Sequence, residues 1–425
     1  MSAQGDLLAA LRKRSPDFIS LRRDIHRHPE LGFEEFRTSE LVAQRLQSWG
    51  YEVTRGLGGT GVVGQLKRGA GGRRLGLRAD MDALPIQEQT GLPHASCHAG
   101  RMHACGHDGH TAMLLAAAEH LAEHGRFSGT LNLIFQPAEE GLGGARRMME
   151  DGLFERFPCD AVYAMHNMPG YRTGLLMLRE GPTMASSETI TITLEGVGGH
   201  GAMPQHAADP VVAGAAIVMG LQSIVARNVA PLQTAVITVG AFLAGDAHNV
   251  IPQTATLRVS MRALDREVHR MVLRRIHELV QAQAQSFGVR AQVHCEGGYP
   301  VLVNTPAETQ LAREAALELV GAEGVLQQCE PITASEDFAY MLDAVPGSYL
   351  LIGNGDGNGD GKGDGSGGGH GACMVHNPAY DFNDDNVAVG SAFWVQLAHK
   401  FLVADAPAAR DATAGVAAGV SAVAA

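Results

Sequence analysis

The spacing of apolar and polar residues along the chain predicts an alternation of helices and strands. Apolar residues recur at helical spacing over residues 16–50, and Gly50 ends this helical segment. Up to about residue 184, short apolar strands (VVGQL, RRLGLRA, GTLNLIF and DAVYAMH) alternate with helical stretches such as HTAMLLAAAEHLAEHG. Strands that are apolar along their whole length and alternate with helices are typical of an α/β domain with a mostly parallel central sheet.

The pattern changes near Ala185, where SETITITLEG alternates between apolar and polar residues as a half-exposed strand does. A helix follows, with Asp209 suited to its N-cap and Pro210 to its first turn. Two strands, a second helix from Arg266 to about Phe287, and a strand near VRAQVHCEG complete the segment. The order βαββαβ is that of a ferredoxin-like α+β fold, so we predict a small ferredoxin-like domain inserted into the α/β domain.

These patterns divide the chain, whose 425 residues are too many for a single core, into two domains and a tail. Residues 1–185 and 298–404 are predicted to form the α/β domain, and residues 186–297 the inserted domain. Residues 405–425 are rich in Ala, Gly and Val and predict a disordered tail. The glycine-rich segment 353–371 predicts a flexible loop.

Composition narrows the classes of function. The net formal charge of -12 argues against a nucleic-acid-binding protein, which would need a basic surface. The six cysteines are scattered without a C-x-x-C pair, which is typical of free thiols in a cytoplasmic protein. The first residues lack the apolar core of a signal peptide, and no run is expected to approach the roughly 18 apolar residues of a membrane span. We therefore expect a cytoplasmic protein with no nucleic-acid or membrane partner.

The densest group of reactive side chains lies in the segment MHACGHDGH, residues 102–110. Cys105 and His107 stand two positions apart in a glycine-containing turn, just before an apolar helix. Residues two apart do not face each other on a helix, so this pair can converge only through the turn. A thiolate and an imidazole are good ligands for zinc-like ions, although a core cysteine beside surface histidines is an open alternative.

Polar side chains also follow several predicted strands at their carboxyl ends, where ligands collect in a parallel sheet. These are Asp80 and Asp82 after RRLGL, Glu139 and Glu140 after GTLNLIF, His166 at the end of DAVYAMH, and His376 beyond the glycine-rich segment. Of two adjacent carboxylates at a metal, one can bind the ion while the other takes a proton from a water molecule. Asp82 could orient either a ligand histidine or a metal without being a direct ligand itself. Each motif alone also fits a solvated turn or a structural histidine, but their joint placement favours a metal-dependent active site.

In this order, and with the inserted domain, MHACGHDGH, QPAEEG, MHN and VHNPAYDFND resemble the aminoacylase and carboxypeptidase-like metallopeptidase superfamily. Within it they are most similar to the amidohydrolase branch of hippurate hydrolases and indole-acetyl-amino-acid hydrolases, and RADMDALP and SEDFA match as well. The resemblance covers about residues 16–404. It implies a zinc-peptidase-like catalytic domain, a lid or dimerisation domain, and two divalent metal ions per chain (zinc, manganese, cobalt or nickel). It also implies Glu139 as general base and, as metal ligands, Cys105 (the bridge between the ions), His107, Glu140, His166 and His376.

The same resemblance gives roles to residues of the inserted domain, although the local sequence alone equally allows plain surface positions. His200, in GVGGHGAMP, would donate a hydrogen bond to the transition state, often across a dimer interface. Asn249 and Arg262 would hold the substrate carboxylate, for which a guanidinium offers a planar fork of donors. The implied activity is hydrolysis of an N-acyl amino acid to a carboxylic acid and a free amino acid, by a homodimer or a dimer-based oligomer.

Three alternatives stay open at this stage. A dipeptidase or aminopeptidase of the same superfamily would share the metals but would recognise a free substrate amine. An N-acetyl-diaminopimelate deacetylase would share the motifs. A non-catalytic metal-binding or amino-acid-binding protein could keep the fold, but it would not need Glu139. The motifs specify neither the acyl group nor the native metal.

Overall fold

A computed structural model of the chain describes residues 3–355 and 373–403. Its strands are β1 (Glu52–Leu57), β2 (Gly61–Arg68), β3 (Arg74–Asp80), β4 (Gly129–Gln136), β5 (Ala161–Pro169), β6 (Leu176–Met177), β7 (Gly181–Met184), β8 (Ser186–Glu195), β9 (Gly199–His200), β10 (Ala235–Ala244), β11 (Val250–Ile251), β12 (Thr254–Ala263), β13 (Arg290–Cys295), β14 (Leu302–Asn304), β15 (Val325–Leu326) and β16 (Gly347–Gly355). Its α-helices are α1 (Ala3–Arg27), α2 (Phe36–Ser48), α3 (His107–His124), α4 (Gly144–Glu150), α5 (Leu153–Arg156), α6 (Pro210–Asn228), α7 (Arg266–Ser286), α8 (Pro306–Val320), α9 (Ala339–Ala344) and α10 (Asn386–Phe401). The predicted tail, 405–425, and residues 356–371 of the predicted loop lie outside the described residues, whereas residues 353–355, also predicted as loop, belong to β16.

The larger sheet has the strand order β1-β2-β4-β3-β5-β16-β6-β15. Its central strands β4, β3, β5 and β16 run parallel, whereas β1 with β2, β2 with β4, and β16 with β6 are antiparallel pairs. Asp80 lies opposite Gln136, and His166 lies opposite Leu351, so the carboxyl ends of the parallel strands meet at one edge. The mostly parallel α/β sheet expected from the sequence is confirmed.

Helices bury both faces of this sheet, which explains why its strands are apolar throughout. Along β4, Leu131, Leu133 and Phe135 belong to a core shared with α1, α2, α3, α8 and α10. Ile134, between them, belongs to a second core shared with α4, α5 and α9. Full burial of one such side chain contributes about 1.5–3 kcal/mol, so alternate residues of one strand stabilise two different layers.

The smaller sheet has the order β10-β12-β8-β13, and its neighbouring strands are antiparallel. Ile217 of α6 and Ile276 of α7 share a core with Leu257 of β12. The side chains of Asp209 and Asp265 each accept a 2.8 Å hydrogen bond from the first turn of α6 and of α7. Such N-caps each contribute about 1 kcal/mol. This is the ferredoxin-like arrangement that the order βαββαβ predicts.

The helical segment expected over residues 16–50 is two helices. α1 begins at Ala3, passes through Pro16 and ends at Arg27, and α2 begins only at Phe36. Pro29 stands in the break, where its ring disfavours a helical conformation of the preceding residue. Apolar spacing alone did not separate the two helices because it continues across the break.

α6 differs from the expectation that no run reaches the length of a membrane span. By length and composition alone this 19-residue helix passes the test for a membrane-crossing segment, and 33% of the segment tested is buried. The expectation was therefore wrong for α6.

A buried polar cluster joins α1 to the beginning of α3. His26 Nδ1 lies 2.9 Å from Asp108 Oδ2, and Arg22 Nη1 lies 3.2 Å from the same oxygen. His26 Nε2 lies 3.4 Å from Glu88 Oε1. Burial lowers the pKa of His26, but the charge and hydrogen bond of Asp108 outweigh it and raise the pKa to about 9. The cluster fixes the first turn of α3 against α1.

This cluster predicts a pH-dependent stability. Since folding raises the pKa of His26 from 6.5 to about 9, its stabilising contribution is complete below pH 6.5 and is lost as the pH rises through about 9. The contribution of His26 to the free energy of unfolding is on the order of 3 kcal/mol. We expect the free energy of unfolding, measured by urea denaturation, to fall across this interval in the native protein and much less in His26→Asn. His124→Asn, which changes an exposed histidine of α3, should keep the native pH dependence. The same dependence in both variants would contradict the assignment.

Candidate active site

Gly106 lies between Cys105 and His107, immediately before α3. Its φ is 91°, and a Cβ there would lie 2.3 Å from Asn167 Nδ2 and 2.5 Å from Tyr380 Oη. Positive φ and close approach together require glycine at this position. Asn167 Nδ2 donates to Cys105 O at 2.6 Å, and Tyr380 Oη donates to Asn167 Oδ1 at 2.7 Å. The packed turn thereby holds Cys105 and His107 next to each other.

The loop after β4 carries the two adjacent carboxylates. Ala138 has a φ of 53°, which is uncommon for a residue with a side chain. Its N–H donates to Glu35 Oε1 at 2.8 Å, and the N–H of Glu140 donates to Asp82 Oδ2 at 2.9 Å. These bonds hold the loop so that Glu139 and Glu140 both lie beside His107.

The five side chains predicted to be metal ligands meet at this edge of the sheet. Cys105 Sγ lies 3.3 Å from His166 Nε2, and His376 Nε2 lies 3.1 Å from Glu140 Oε1. His107 Nε2 is 4.0 Å from the same glutamate oxygen. The donor atoms form two groups, Cys105 with His107 and His166, and Cys105 with Glu140 and His376, and within each group they lie within 4.8 Å of one another. Cys105 is the member common to both groups.

The donor atoms at this edge fit divalent cations. His107 Nε2 is buried and has no hydrogen-bond partner among the described residues. Buried polar atoms are otherwise almost always paired. Burial, and then the charges of Glu140 and Glu139, raise the pKa of the Cys105 thiol, so a neighbouring cation is what would favour its thiolate. Thiolate, imidazole and carboxylate together are typical ligands of zinc and neighbouring transition metals.

Asp82 lies behind His107. Its Oδ1 accepts a hydrogen bond from His107 Nδ1 at 3.1 Å, while its Oδ2 accepts from the Glu140 N–H. A carboxylate at Nδ1 leaves Nε2 as the free ligand atom of the ring. One side chain therefore orients both His107 and the backbone of Glu140.

His110 is a residue of this region to which the sequence analysis gave no role. Its Nδ1 lies 2.6 Å from Asp80 Oδ1, and its Nε2 accepts from the Asn167 N–H at 3.0 Å. It follows His107 by three residues on α3, the spacing at which two side chains share a helix face. That spacing was the available signal.

Glu139 is buried among other acids. Burial, followed by the charges of Glu336 and Glu140, raises the pKa of Glu139 well above its usual range. Glu139 Oε1 lies 3.4 Å from the Asp337 N–H. Arg78 Nη2 forms ion pairs with Glu336 at 2.9 Å and with Asp337 at 3.3 Å. Glu336 and Asp337 belong to SEDFA, a motif whose acids were not predicted to be site residues.

A cavity of about 610 Å³ opens beside these side chains. Its polar end is lined by Cys105, Glu139, Glu140, His166 and His376. The rest of its lining includes the apolar residues Met168, Met184, Ile332, Leu351, Met374 and Val375. The volume is in the range of small-molecule binding sites, and the lining combines convergent polar groups with an apolar wall.

The three candidates in the inserted domain are placed differently. Arg262 Nη1 donates to Ser335 Oγ at 2.6 Å, and Ser335 lines the cavity. His200 lies on β9, which pairs with β11, and Asn249 immediately precedes β11, where its carbonyl oxygen accepts from the Gly201 N–H at 2.8 Å. Both are exposed, and neither lines the cavity of its own chain. The structure thus brings Arg262 to the edge of the cavity and leaves His200 and Asn249 on the surface.

Comparison with known proteins identifies relatives along nearly the whole chain. The sequence profile of peptidase family M20/M25/M40 matches residues 76–400. A hippurate hydrolase of Campylobacter jejuni is 43% identical over 386 residues, which cover 91% of this chain and 97% of that protein. An N-acetyl-L-cysteine deacetylase of Bacillus subtilis is 38% identical, covering 90% of this chain and 88% of that protein. An IAA-amino acid hydrolase of Arabidopsis thaliana is 36% identical, covering 90% and 85%.

Solved structures share the fold. A Staphylococcus aureus protein, 32% identical, superposes with a TM-score of 0.85 and covers 95% of this chain and 100% of its own. A dinuclear metal-binding peptidase of the M20 family from Bacillus subtilis, 31% identical, has a TM-score of 0.78 and covers 93% of this chain and 100% of its own. With a family profile that spans most of the chain and relatives of this similarity, the protein belongs to peptidase family M20/M25/M40.

Proposed function

We propose that the protein is a metal-dependent amidohydrolase that cleaves N-acyl amino acids to a carboxylic acid and a free amino acid. The observation that carries this proposal is the meeting of five potential metal ligands beside buried Glu139 at one end of the cavity. Relatives named for hydrolysis of hippurate and of IAA-amino acids support it. A cytoplasmic location stays a prediction from the sequence.

The residues proposed to hold the ions are Cys105, His107, Glu140, His166 and His376, and Cys105 belongs to both groups of donor atoms. Two divalent ions (zinc, manganese, cobalt or nickel) supply Lewis acidity when bound, since they polarise an amide carbonyl and lower the pKa of a water molecule. Glu139 removes a proton from the attacking water and passes it to the leaving amine. Asp82 keeps His107 in the tautomer that presents Nε2.

The two halves of the substrate are proposed to occupy different parts of the cavity. Met184, Ile332 and Leu351 form an apolar wall that suits an aromatic or long acyl group. Arg262, which already reaches Ser335 at the cavity, is proposed to hold the α-carboxylate together with Asn249 from a second copy of the chain. N-acetyl amino acids are a second candidate substrate class, because an N-acetyldiaminopimelate deacetylase of Geobacillus thermodenitrificans is 40% identical over 337 residues.

Hydrolysis should depend on Glu139 but metal binding should not. We expect the purified protein to hydrolyse hippurate and other N-acyl amino acids, and Glu139→Gln to lower kcat at least about a hundredfold, because the amide cannot accept the proton. The metal content, measured by plasma mass spectrometry, should stay near the native value. The assay panel should contain hippurate, N-acetyl amino acids and dipeptides.

Glu140→Gln is the matched control, because it changes the adjacent carboxylate, which is proposed to bind an ion. It should lose metal and activity together. Full activity of Glu139→Gln would refute the assignment of the base. Hydrolysis of dipeptides alone would replace the proposed activity with that of a dipeptidase.

Asp82→Asn should weaken metal binding. Asp82 accepts hydrogen bonds from two N–H groups, and asparagine has a single acceptor oxygen, so either His107 or the Glu140 backbone loses its acceptor. We expect the affinity for zinc, measured by competition with a chelating indicator, to fall by about 10–100-fold. Asp151→Asn, at a carboxylate that accepts from the Gly58 N–H away from the site, should bind zinc as the native protein does. Native affinity in Asp82→Asn would argue against its orienting role.

We further propose a homodimer formed through the inserted domain. Met219 and Val212 of α6 and Leu243 of β10 expose 72%, 50% and 53% of their surface, and β10 is an edge strand of the smaller sheet. Exposed apolar residues beside an unpaired edge are typical of an interface. A second copy would cover them, and it would explain why His200 and Asn249 lie outside the cavity of their own chain: they would serve the partner's cavity.

Charge placed on α6 should separate the copies. We expect the native protein to sediment as a dimer and Met219→Glu to sediment as a monomer, because a buried unpaired carboxylate is costly at an interface. Since His200 would then be lost from the partner's site, kcat should fall by at least about tenfold. Phe36→Glu, at an equally exposed apolar residue of α2, should leave the dimer intact. A fully active native monomer would contradict the proposal.

A further inference from the structure

Tyr299 lies where the two chain segments that link the inserted domain to the larger sheet run side by side. The Tyr299 N–H donates to Ser187 Oγ at 2.9 Å, and the Ser187 N–H donates to Tyr299 O at 2.9 Å. Ser187 is at the beginning of β8, and Tyr299 follows the end of β13. The segments that enter and leave the inserted domain are therefore bonded to each other at this pair, which we call the Ser187–Tyr299 hinge.

The phenol of Tyr299 extends from this hinge to the loop that carries Glu139. Its Oη donates to Glu139 O at 2.5 Å and accepts from the Gly143 N–H at 3.2 Å. The side chain is buried, and burial raises the pKa of Tyr299 well above its usual range, so the hydroxyl keeps its proton and acts as a donor.

The loop that Tyr299 holds is not in a relaxed conformation. The left-handed backbone of Ala138 precedes Glu139 and costs free energy that surrounding contacts must offset. Three hydrogen bonds join the backbone of this loop to more distant residues: those to Glu35 and Asp82 in the larger domain, and that from Tyr299 at the hinge. Of these three, Tyr299 is the residue bonded to β8, the first strand of the inserted domain, through Ser187.

We propose that Tyr299 is a positioning residue that sets the place of Glu139 according to the orientation of the inserted domain. The proposal rests on the proposed role of Glu139 as the base. Rotation of the inserted domain bends the Ser187–Tyr299 hinge, and the Oη bond transmits that displacement to the Glu139 backbone. A misplacement of about 1 Å can change a rate a hundredfold, so this bond makes turnover depend on domain closure.

Tyr340 provides a matched control. Its ring packs edge-to-face on Tyr299, with centroids 6.2 Å apart, and its Oη donates to Gly298 O at 2.6 Å. Tyr340→Phe therefore removes a hydroxyl-to-carbonyl hydrogen bond at the same hinge. It leaves the hydrogen bond between Tyr299 and Glu139 in place.

The experiment compares Tyr299→Phe, Tyr340→Phe and Glu139→Gln in the metal-loaded full-length protein with hippurate. We expect Tyr299→Phe to lower kcat by about tenfold or more, with KM within about twofold of native and metal content unchanged. Tyr340→Phe should keep kcat near native. Thermal midpoints of the two phenylalanine variants should be similar, because a purely structural role would lower the midpoint and leave kcat per folded enzyme unchanged.

Ser187→Ala tests the hinge without changing either tyrosine side chain, because it removes only the acceptor of the Tyr299 N–H. It should lower kcat in the native background and have no further effect in Tyr299→Phe, since both changes break the same path. A native kcat in Tyr299→Phe while Glu139→Gln is inactive would overturn the role of Tyr299 and leave the proposed function standing. An active Glu139→Gln would overturn both. If Tyr299→Phe does not fold, a native kcat in Ser187→Ala overturns the hinge path.

Discussion

The lack of a side chain at Gly106 is the constraint on which the site depends. Asn167 and Tyr380 fill the space that a Cβ would need, and they belong to β5 and to the segment after His376. The contact therefore brings three distant parts of the chain into register: the turn before α3, the carboxyl end of β5 and the C-terminal part of the chain. Each part carries at least one of the converging ligands, so their mutual distances follow from one close backbone approach.

The site contains more buried carboxylates than positively charged side chains. Arg78, 1% exposed, contacts three carboxylates in a region where acids predominate. The acids of this region are Asp80, Asp82, Glu139, Glu140, Glu336 and Asp337. Buried carboxylates repel one another and destabilise a fold unless positive charge is supplied. The sheet edge is thus arranged for cations at some expense of stability, as functional sites often are.

The sequence predicted the parts of this arrangement that follow from periodicity and strand direction. Parallel apolar strands end at one edge, so the polar residues after them were expected to meet there, and they do. The break between α1 and α2 was missed because apolar spacing continues across it. Tyr299 and Glu35 belong to none of the motifs, and their contacts with the loop after β4 depend on how distant segments pack, so their roles could not be predicted. The surface position of His200 depends on the orientation of the inserted domain, which local sequence does not encode.

The sharing of Cys105 between the two ligand groups has a chemical consequence. Under the proposed assignment, one sulfur atom would serve both groups of donor atoms, so a reagent that consumes it would weaken metal binding by both groups. Cys105 is 7% exposed and lines the cavity, so a reagent would reach it through the same cavity that the substrate is proposed to occupy. A small oxidant such as hydrogen peroxide fits that route, and conversion to a sulfenic acid would remove the thiolate. Bound substrate would then shield the enzyme from oxidative inactivation.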